Sequence, residues 1–426
     1  MKKASGLAFA LTALSSVLPV AISAQSGTTV TYEYIHGRWF NGKEFVPRTY
    51  YSVGGTLHPN KPIFRVAQTF DLGGGYVIPA CGEAHNHNAV KSNPAALAEY
   101  ASDGILYVEN PSNLPDERTA GEMLNGPKGP DVSFSNGGIT APGGHPIGLA
   151  KRNIERGTWT EAQGEGAFYY TVSSLKELDE KFPALLSTHP DFIKIFLVYS
   201  EEFEKRKNNE KYFSRKGLDP SLARSIVQKA HAAGLRVMAH VESAHDFSVA
   251  VQADVDQVGH MPGFWPDDET LNGGPVTKYL ISEADARLAA RKKIVVITTL
   301  GEMLATADTK PDRKTADRLI AMAKDNLEML QRHGVRIAIG SDQYRKNSRE
   351  EAFQLMRHDL FETRSMLNAW CSLTPQIIFP RRKIGVLKDG YEANLSVLQK
   401  DPLGSSEALV SKPEMVFKAG NLITQH

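Results

Sequence analysis

Between residues 79 and 380, short apolar runs alternate with longer stretches of helical periodicity, and this alternation constrains the fold more than any other feature. Eight such runs end at His87, Glu109, Ser135, Leu197, His240, His260, Thr299 and Asp342. The helices between them are clearly punctuated. Over Ser221 to Ala233, Asp219 stands as N-cap, Pro220 at the first position and Gly234 just past the end. The stretch ending at His333 likewise stops at Gly334. Eight βα units predict a closed parallel barrel. An open doubly wound sheet fits less well, because no glycine-rich dinucleotide fingerprint follows the first run.

The two chain ends read differently. Val30 to Ile35 alternates, Asn41-Gly42 signals a hairpin, and Gly54-Gly55 and Pro59-Asn60 are further breaks. From Lys383 onward, Asp389-Gly390 and Ala419-Gly420-Asn421 punctuate short apolar runs in the same way. The expected class is therefore α/β. A (β/α)8 TIM barrel over 79–380 would be joined by a small β-sandwich domain built from 28–78 and 381–426.

The first residues predict export. Lys2 and Lys3 precede an apolar stretch from Leu7 to Val20, Pro19 breaks it, and small residues lead to Ala24. That is the pattern of a signal peptide over residues 1–24, and the short, interrupted apolar stretch argues against a membrane anchor. The mature protein is expected in the periplasm or outside the cell, with no membrane attachment after cleavage. With Lys+Arg 49 against Asp+Glu 48 and no long basic run, nothing points to nucleic acid. The expected partner is a small-molecule substrate, and an oligomer is compatible with the sequence. Cys81 and Cys371 are the only cysteines; an oxidising compartment permits them to pair, but two do not make a disulfide framework.

The ends of the apolar runs carry the chemistry. In Glu83-Ala-His-Asn-His-Asn88, His85 and His87 are two apart, so a strand would present both to one metal ion. Alone, such a pair is as well read as two exposed histidines near a strand end. Lys194 lies within Phe192-Ile-Lys-Ile-Phe-Leu197, where an ammonium is costly to bury unless its charge is removed or paired. Carbamylation would turn it into an anionic ligand able to bridge two ions; a packed stem with the amine reaching solvent is the plainer reading. His240, His260 and Asp342 each close an apolar run, at the mouth where barrel enzymes place catalysis. Six such residues over five candidate strands are hard to assign to chance.

The chain resembles the amidohydrolase superfamily, and specifically its imidazolonepropionase-like branch of metal-dependent hydrolases. The motifs that carry the resemblance are Asp71 to Pro79 leading into His85-Asn-His87, Ala230 to His240, Ala253 to His260, Gly334 to Asp342, Ile384 to Leu395 and Val416 to Leu422. The resemblance implies two divalent ions, with zinc the default. His85 and His87 would hold one and His240 and His260 the other, with a carbamylated Lys194 bridging and Asp342 completing the first. It also implies a metal-held hydroxide as nucleophile and Asp342 as the catalytic group that moves its proton to the leaving group. The expected reaction is hydrolysis of an amide-type C–N bond in a dipeptide, an N-acyl amino acid or a cyclic amide. A one-metal deaminase, a lactone or ester hydrolase, or a non-catalytic binding barrel are the alternatives. Glu83, Ser341 and Asn394 stand where the family often has Asp, Thr and Asp.

Gly143-Gly-His145 resembles a third-strand signature of the same branch, which makes His145 a candidate for substrate contact; Tyr199, just beyond Lys194, is a second. The loops over Asn110 to Thr160 and Glu201 to Lys216 are expected to set specificity. The basic residues of the latter, Lys205, Arg206, Lys207, Lys211, Arg215 and Lys216, read as a solvated face.

Overall fold

A computed structural model describes residues 30–426 of the chain. The expected signal peptide lies outside the described residues. Among those described, no helix is long and apolar enough to cross a membrane.

Eight parallel strands form a barrel, in order Cys81–Glu83, Ile105–Asn110, Asp131–Phe134, Phe192–Phe196, Arg236–His240, Gln257–Val258, Val295–Ile297 and Arg336–Ala338. The first three pair in parallel, and so do the last five. Backbone bonds close the two gaps. The third strand reaches the fourth through Asp191 N to Phe134 O (2.7 Å), and resumes as Gly138–Thr140 against Phe192–Phe196. The eighth joins the first through Ala84 N to Ile339 O (2.9 Å) and Asp342 N to His85 O (2.8 Å). The strands before His85, His260 and Asp342 are shorter than their apolar runs, because the mouth there turns away from the ladder two to four residues before the ligand-type side chain. His240, by contrast, closes its strand, and Lys194 lies within one.

Strand alternation decides what faces inward. Ile193, Ile195 and Leu197 pack outward with the surrounding helices, as do Val237 and Ala239. Phe192 and Met238 instead join Ala84, Val295, Ile297 and Ala338 inside the barrel, with Ile377 packed against them. The same alternation turns Lys194 and His240 to the interior. In register, Lys194 pairs with Met238 and Phe196 with His240. The helix Arg313–Arg332 shows the complementary logic: Thr315, Ala316, Leu319, Met322, Ala323, Asn326, Leu327 and Leu330 are buried at helical spacing. Gly334 follows it at φ +75°.

The chain ends share one eight-stranded sheet. Thr31–Phe40 is central, and Leu395–Leu398, Met415–Lys418 and Asn421–Gln425 return to it through Tyr76–Pro79. The expected sandwich is thus one continuous sheet around a core of Tyr34, Trp39, Tyr50, Leu57, Phe70, Leu395 and Phe417. Asn41-Gly42 makes the predicted hairpin, with Gly42 at φ +98° and Asn41 Oδ1 accepting from Lys43 N and Glu44 N. Asn394 ties sheet to barrel: its side-chain amide donates to the Tyr107 hydroxyl at 2.8 Å, and its backbone carbonyl accepts from Ala80 N.

Cys81 and Cys371 form a disulfide, which pins the first barrel strand to the segment Asn368–Leu373 across 290 residues of sequence. Replacing both by alanine is expected to lower stability by about 2–4 kcal/mol, read from denaturant midpoints. An unchanged midpoint would show that the bridge adds nothing.

Candidate metal centre

At the mouth of the barrel the first and eighth strands are laced together by the residues around the ligand-type side chains. Glu83 accepts from Ser341 N and Ser341 Oγ, both at 2.8 Å, and from His85 N at 3.3 Å. Burial pushes its carboxyl up to about 8. Gly340 permits this approach, since a Cβ there would lie 2.7 Å from His85 N and 2.6 Å from Ile297. Tyr199, Thr299 and Asp342 all sit near φ +50° at the ends of the fourth, seventh and eighth strands. Left-handed backbone costs a non-glycine residue on the order of 1 kcal/mol. Fixed partners hold each one: Tyr199 N donates to Asp246, Thr299 N to Gly340 O and Asp342 N to His85 O.

The imidazoles form a contiguous row. Ring centroids are 5.4 Å apart for His87 and His85, 4.3 Å for His85 and His260, 4.5 Å for His260 and His240, and 4.8 Å for His240 and His145. Asp342 reaches into this row, with Oδ1 3.2 Å from His87 Nε2 and 3.8 Å from His85 Nε2, and Oδ2 3.9 Å from His260 Nδ1. Donor atoms of His85, His87 and Asp342 lie within 4.8 Å of one another, close enough for one ion. His85 and His87 turn Nδ1 to backbone carbonyls, Gly259 O at 2.8 Å and Ser112 O at 3.1 Å. Such bonds fix the ring and leave Nε2 as the lone-pair donor a metal needs. Burial, with Lys194 and neighbouring rings, holds His85 and His260 well below the ordinary range and brings His240 down to about 3. His85, His260 and His240 are thereby held in the neutral form, the one that ligates.

Lys194 is 1% exposed. Its Nζ lies 3.7 Å from Met238 Sδ and faces the Phe196 ring, and Gly259 leaves room for it where a Cβ would come within 3.1 Å. Burial lowers the amine to about 7, against the pull of Asp342 and Glu109. The amine does not reach solvent, so the plainer reading of this lysine fails on burial. His145 lies inside the site, stacked on His240 at 25°. Tyr199 stands at its edge, its hydroxyl 3.3 Å from that of Tyr279.

A cavity of about 1210 Å³ opens above the row, walled by Asn153, Arg156 and Trp159 after the third strand, Phe264 and Trp265 after the sixth, and Tyr344 after the eighth. The basic segment after the fourth strand departs from expectation only in part: Lys205, Lys211 and Arg215 are exposed as a solvated face requires, while Arg206 and Lys216 are not. Lys216 is buried and donates to Lys207 O, while Arg206, Lys211 and Arg215 line the cavity. Arg206 packs against the rings of Tyr199 and Tyr212 and pairs with Glu202. Arg206 is drawn in by aromatic faces, and Lys216 by a backbone carbonyl, that a charge pattern does not reveal.

Three supporting carboxylates escaped the sequence reading. Asp246 is fully buried and gathers Tyr199 N, Ser200 N, Glu242 N and Ser243 N at 2.8–3.1 Å, which joins the mouths of the fourth and fifth strands. Glu242 lies 3.1 Å from His240 Nε2; the His-x-Glu spacing was its only signal. Glu351 accepts from Leu300 N (2.8 Å) and Gly301 N (2.6 Å), next to Thr299, whose hydroxyl meets His260 Nδ1. Burial pushes the Glu351 carboxyl up from 4.5 to about 7. In that window the native state keeps a proton that the unfolded chain has lost, so this group makes stability fall as pH rises from 4.5 to 7. Glu351→Gln should remove that fall. Wild-type stability relative to the variant is expected to decline across the window and then level; a difference flat from pH 4.5 to 8 would refute the assignment.

A sequence model of the amidohydrolase family matches residues 211–423, a span that carries His240, His260 and Asp342. No curated protein sequence matches the chain. Solved structures share its fold at low identity. A prolidase complexed with N-methylphosphonate-L-proline is 18% identical with a TM-score of 0.68, covering 93% of this chain and 100% of its own. The ochratoxinase of A. niger is 16% identical with a TM-score of 0.70, over 94% and 97%. A Xaa-Pro dipeptidase with bound methionine is 16% identical with a TM-score of 0.68, over 92% and 99%.

Proposed function

Because the chain belongs to the amidohydrolase family, we propose that it is an exported, metal-dependent hydrolase that opens an amide-type C–N bond in a dipeptide, an N-acyl amino acid or a cyclic amide. The observation that carries this reading is the convergence of His85, His87 and Asp342 within 4.8 Å, with His260 and His240 next in the row. His85, His87 and Asp342 would hold one divalent ion, zinc by default, and His240 and His260 a second. Lys194, carbamylated on Nζ, would lie between them, its buried cationic amine exchanged for an anionic carbamate whose charge the ions would balance. Bound there, the ions supply acidified water and a Lewis acid for the substrate carbonyl.

Within this reading the chain's own groups have distinct tasks. The Asp342 carboxylate, facing both the imidazole row and the cavity, takes the proton of the attacking water and returns it to the departing nitrogen. His145 and Tyr199 border the substrate space. The aromatic and basic walls suit a substrate that combines an apolar side chain with a carboxylate, and the solved relatives that act on dipeptides make these the first compounds to test. The Cys81–Cys371 bridge supports the export reading, because disulfides persist in oxidising compartments.

The test is a screen of purified protein against dipeptides and N-acyl amino acids, with zinc added or removed by a chelator. Hydrolysis of at least one class, lost on chelation and restored by zinc, is the expected result. Hydrolysis that survives complete metal removal, or none across both classes, would overturn the proposal.

A further inference from the structure

The unpaired charges that line the cavity are sorted by side. Arg156 follows the third barrel strand, and Lys211 and Arg215 follow the fourth. Asp268 follows the sixth and Glu302 the seventh. In a closed ring of eight strands the third and seventh face each other across the mouth. All five residues are exposed, and none has an ion-pair partner among the described residues. Arg206, Asp267 and Lys346 line the same cavity but are neutralised by Glu202, Lys278 and Glu350. Two charges break the pattern. Glu117, after the second strand, is engaged by Ser92 N at 2.8 Å, and Arg345 is exposed after the eighth.

Backbone bonds fix where the two sides stand relative to the imidazole row. Arg215 lies between Ser214, whose N donates to Gly143 O at 2.7 Å, and Lys216, whose O accepts from His145 N at 2.8 Å. It is therefore anchored to the loop carrying His145, which stacks on His240 at one end of the row. Glu302 stands in the first turn of the helix Gly301–Thr309. Leu300 N and Gly301 N donate to Glu351, and the Thr299 hydroxyl lies 3.1 Å from His260 Nδ1, so Glu302 is anchored beside the middle of the row. A face tuned only for solubility intersperses the two signs. Segregated charges facing each other over a cavity orient a ligand that carries both signs itself.

We infer that the cavity selects a dipeptide with both termini free. Arg215, with Arg156 and Lys211, receives the carboxylate carried by the leaving amine, and Glu302, with Asp268, receives the ammonium of the acyl half. The inference rests on the hydrolase reading above and narrows it, because an N-acyl amino acid has no ammonium to offer Glu302. The scissile carbonyl then lies over the imidazole row. Water gives its oxygen to the carbonyl carbon and a proton to the departing nitrogen, the C–N bond breaks, and two free amino acids leave.

The experiment measures kcat/KM of the zinc-loaded full chain on a free dipeptide, its N-acetyl form and its C-terminal amide. Wild type, Glu302→Gln and Arg215→Gln are compared, with melting curves for each. Wild type should prefer the free dipeptide to either blocked form by about tenfold or more, the worth of a charge-assisted hydrogen bond. Glu302→Gln should cut the free-to-acetylated ratio by about fivefold or more while the free-to-amide ratio holds. Arg215→Gln should do the reverse. Because each ratio is taken on one protein, a variant that merely folds poorly cannot imitate the result. An N-acetyl form hydrolysed as fast as the free dipeptide, or either ratio unmoved by its substitution, overturns the inference and leaves the hydrolase reading standing. A wild type that hydrolyses neither dipeptides nor N-acyl amino acids defeats both.

Discussion

Asp342→Asn is expected to lower kcat/KM by about a thousand-fold or more. Asparagine keeps the side chain's shape and the backbone bond from position 342 to His85 O, and it tolerates the left-handed conformation that Asp342 adopts at φ +49°. The fold should therefore survive, with a melting temperature close to wild type. What is lost is one carboxylate, whose two oxygens face His87 and His260, and with it both a ligand and the proton carrier. The measurement is steady-state kinetics on whichever substrate the screen identifies, alongside melting curves. Activity within tenfold of wild type would remove Asp342 from the reaction.

The second large effect should move activity and stability in opposite directions. Lys194 is among the largest fully buried side chains, and its nearest polar contact is the Met238 sulfur. A buried amine without a good hydrogen-bond acceptor costs about 1–3 kcal/mol, a cost that an apolar side chain of similar volume avoids. Lys194→Met should therefore raise the stability of the metal-free chain while lowering activity by about a hundred-fold or more, since methionine cannot be carbamylated. Lys194→Ala leaves space instead, and acetate should restore part of its activity by placing a free carboxylate where the carbamate would lie. Loss of activity in both variants without acetate rescue in the alanine form would argue against a carboxylate role at this position. Full activity in Lys194→Met would refute any role.

Much of this arrangement was legible in the sequence because strand and helix periodicities are local. The alternation in Phe192 to Leu197 fixes which residues face inward, and once the barrel closes, Lys194 and His240 follow. The run ends at His87, His260, Thr299 and Asp342 outlast the observed strands by two to four residues, since apolar burial continues after the ladder has turned. Less legible were the features set by contacts between distant segments. Cys81 meets Cys371 only because a segment after the eighth strand packs under the first. Asp246 lies inside a helix start and reads as a capping residue, which it is, yet its carboxylate also collects two amides from another strand's loop. Lys216 and Arg206 carry charges that suggest solvent, and aromatic rings and carbonyls drew them inward. Such placements depend on partners remote in sequence, which composition and spacing do not name.

The central claim is tested most directly by anomalous diffraction from crystals of the zinc-loaded protein, recorded at the metal edge. Two peaks are predicted, one among His85, His87 and Asp342 and one against His240 and His260, with continuous density from Lys194 Nζ reaching both. Peaks outside the barrel mouth, or an ion that leaves His85 and His87 without metal contact, would contradict it.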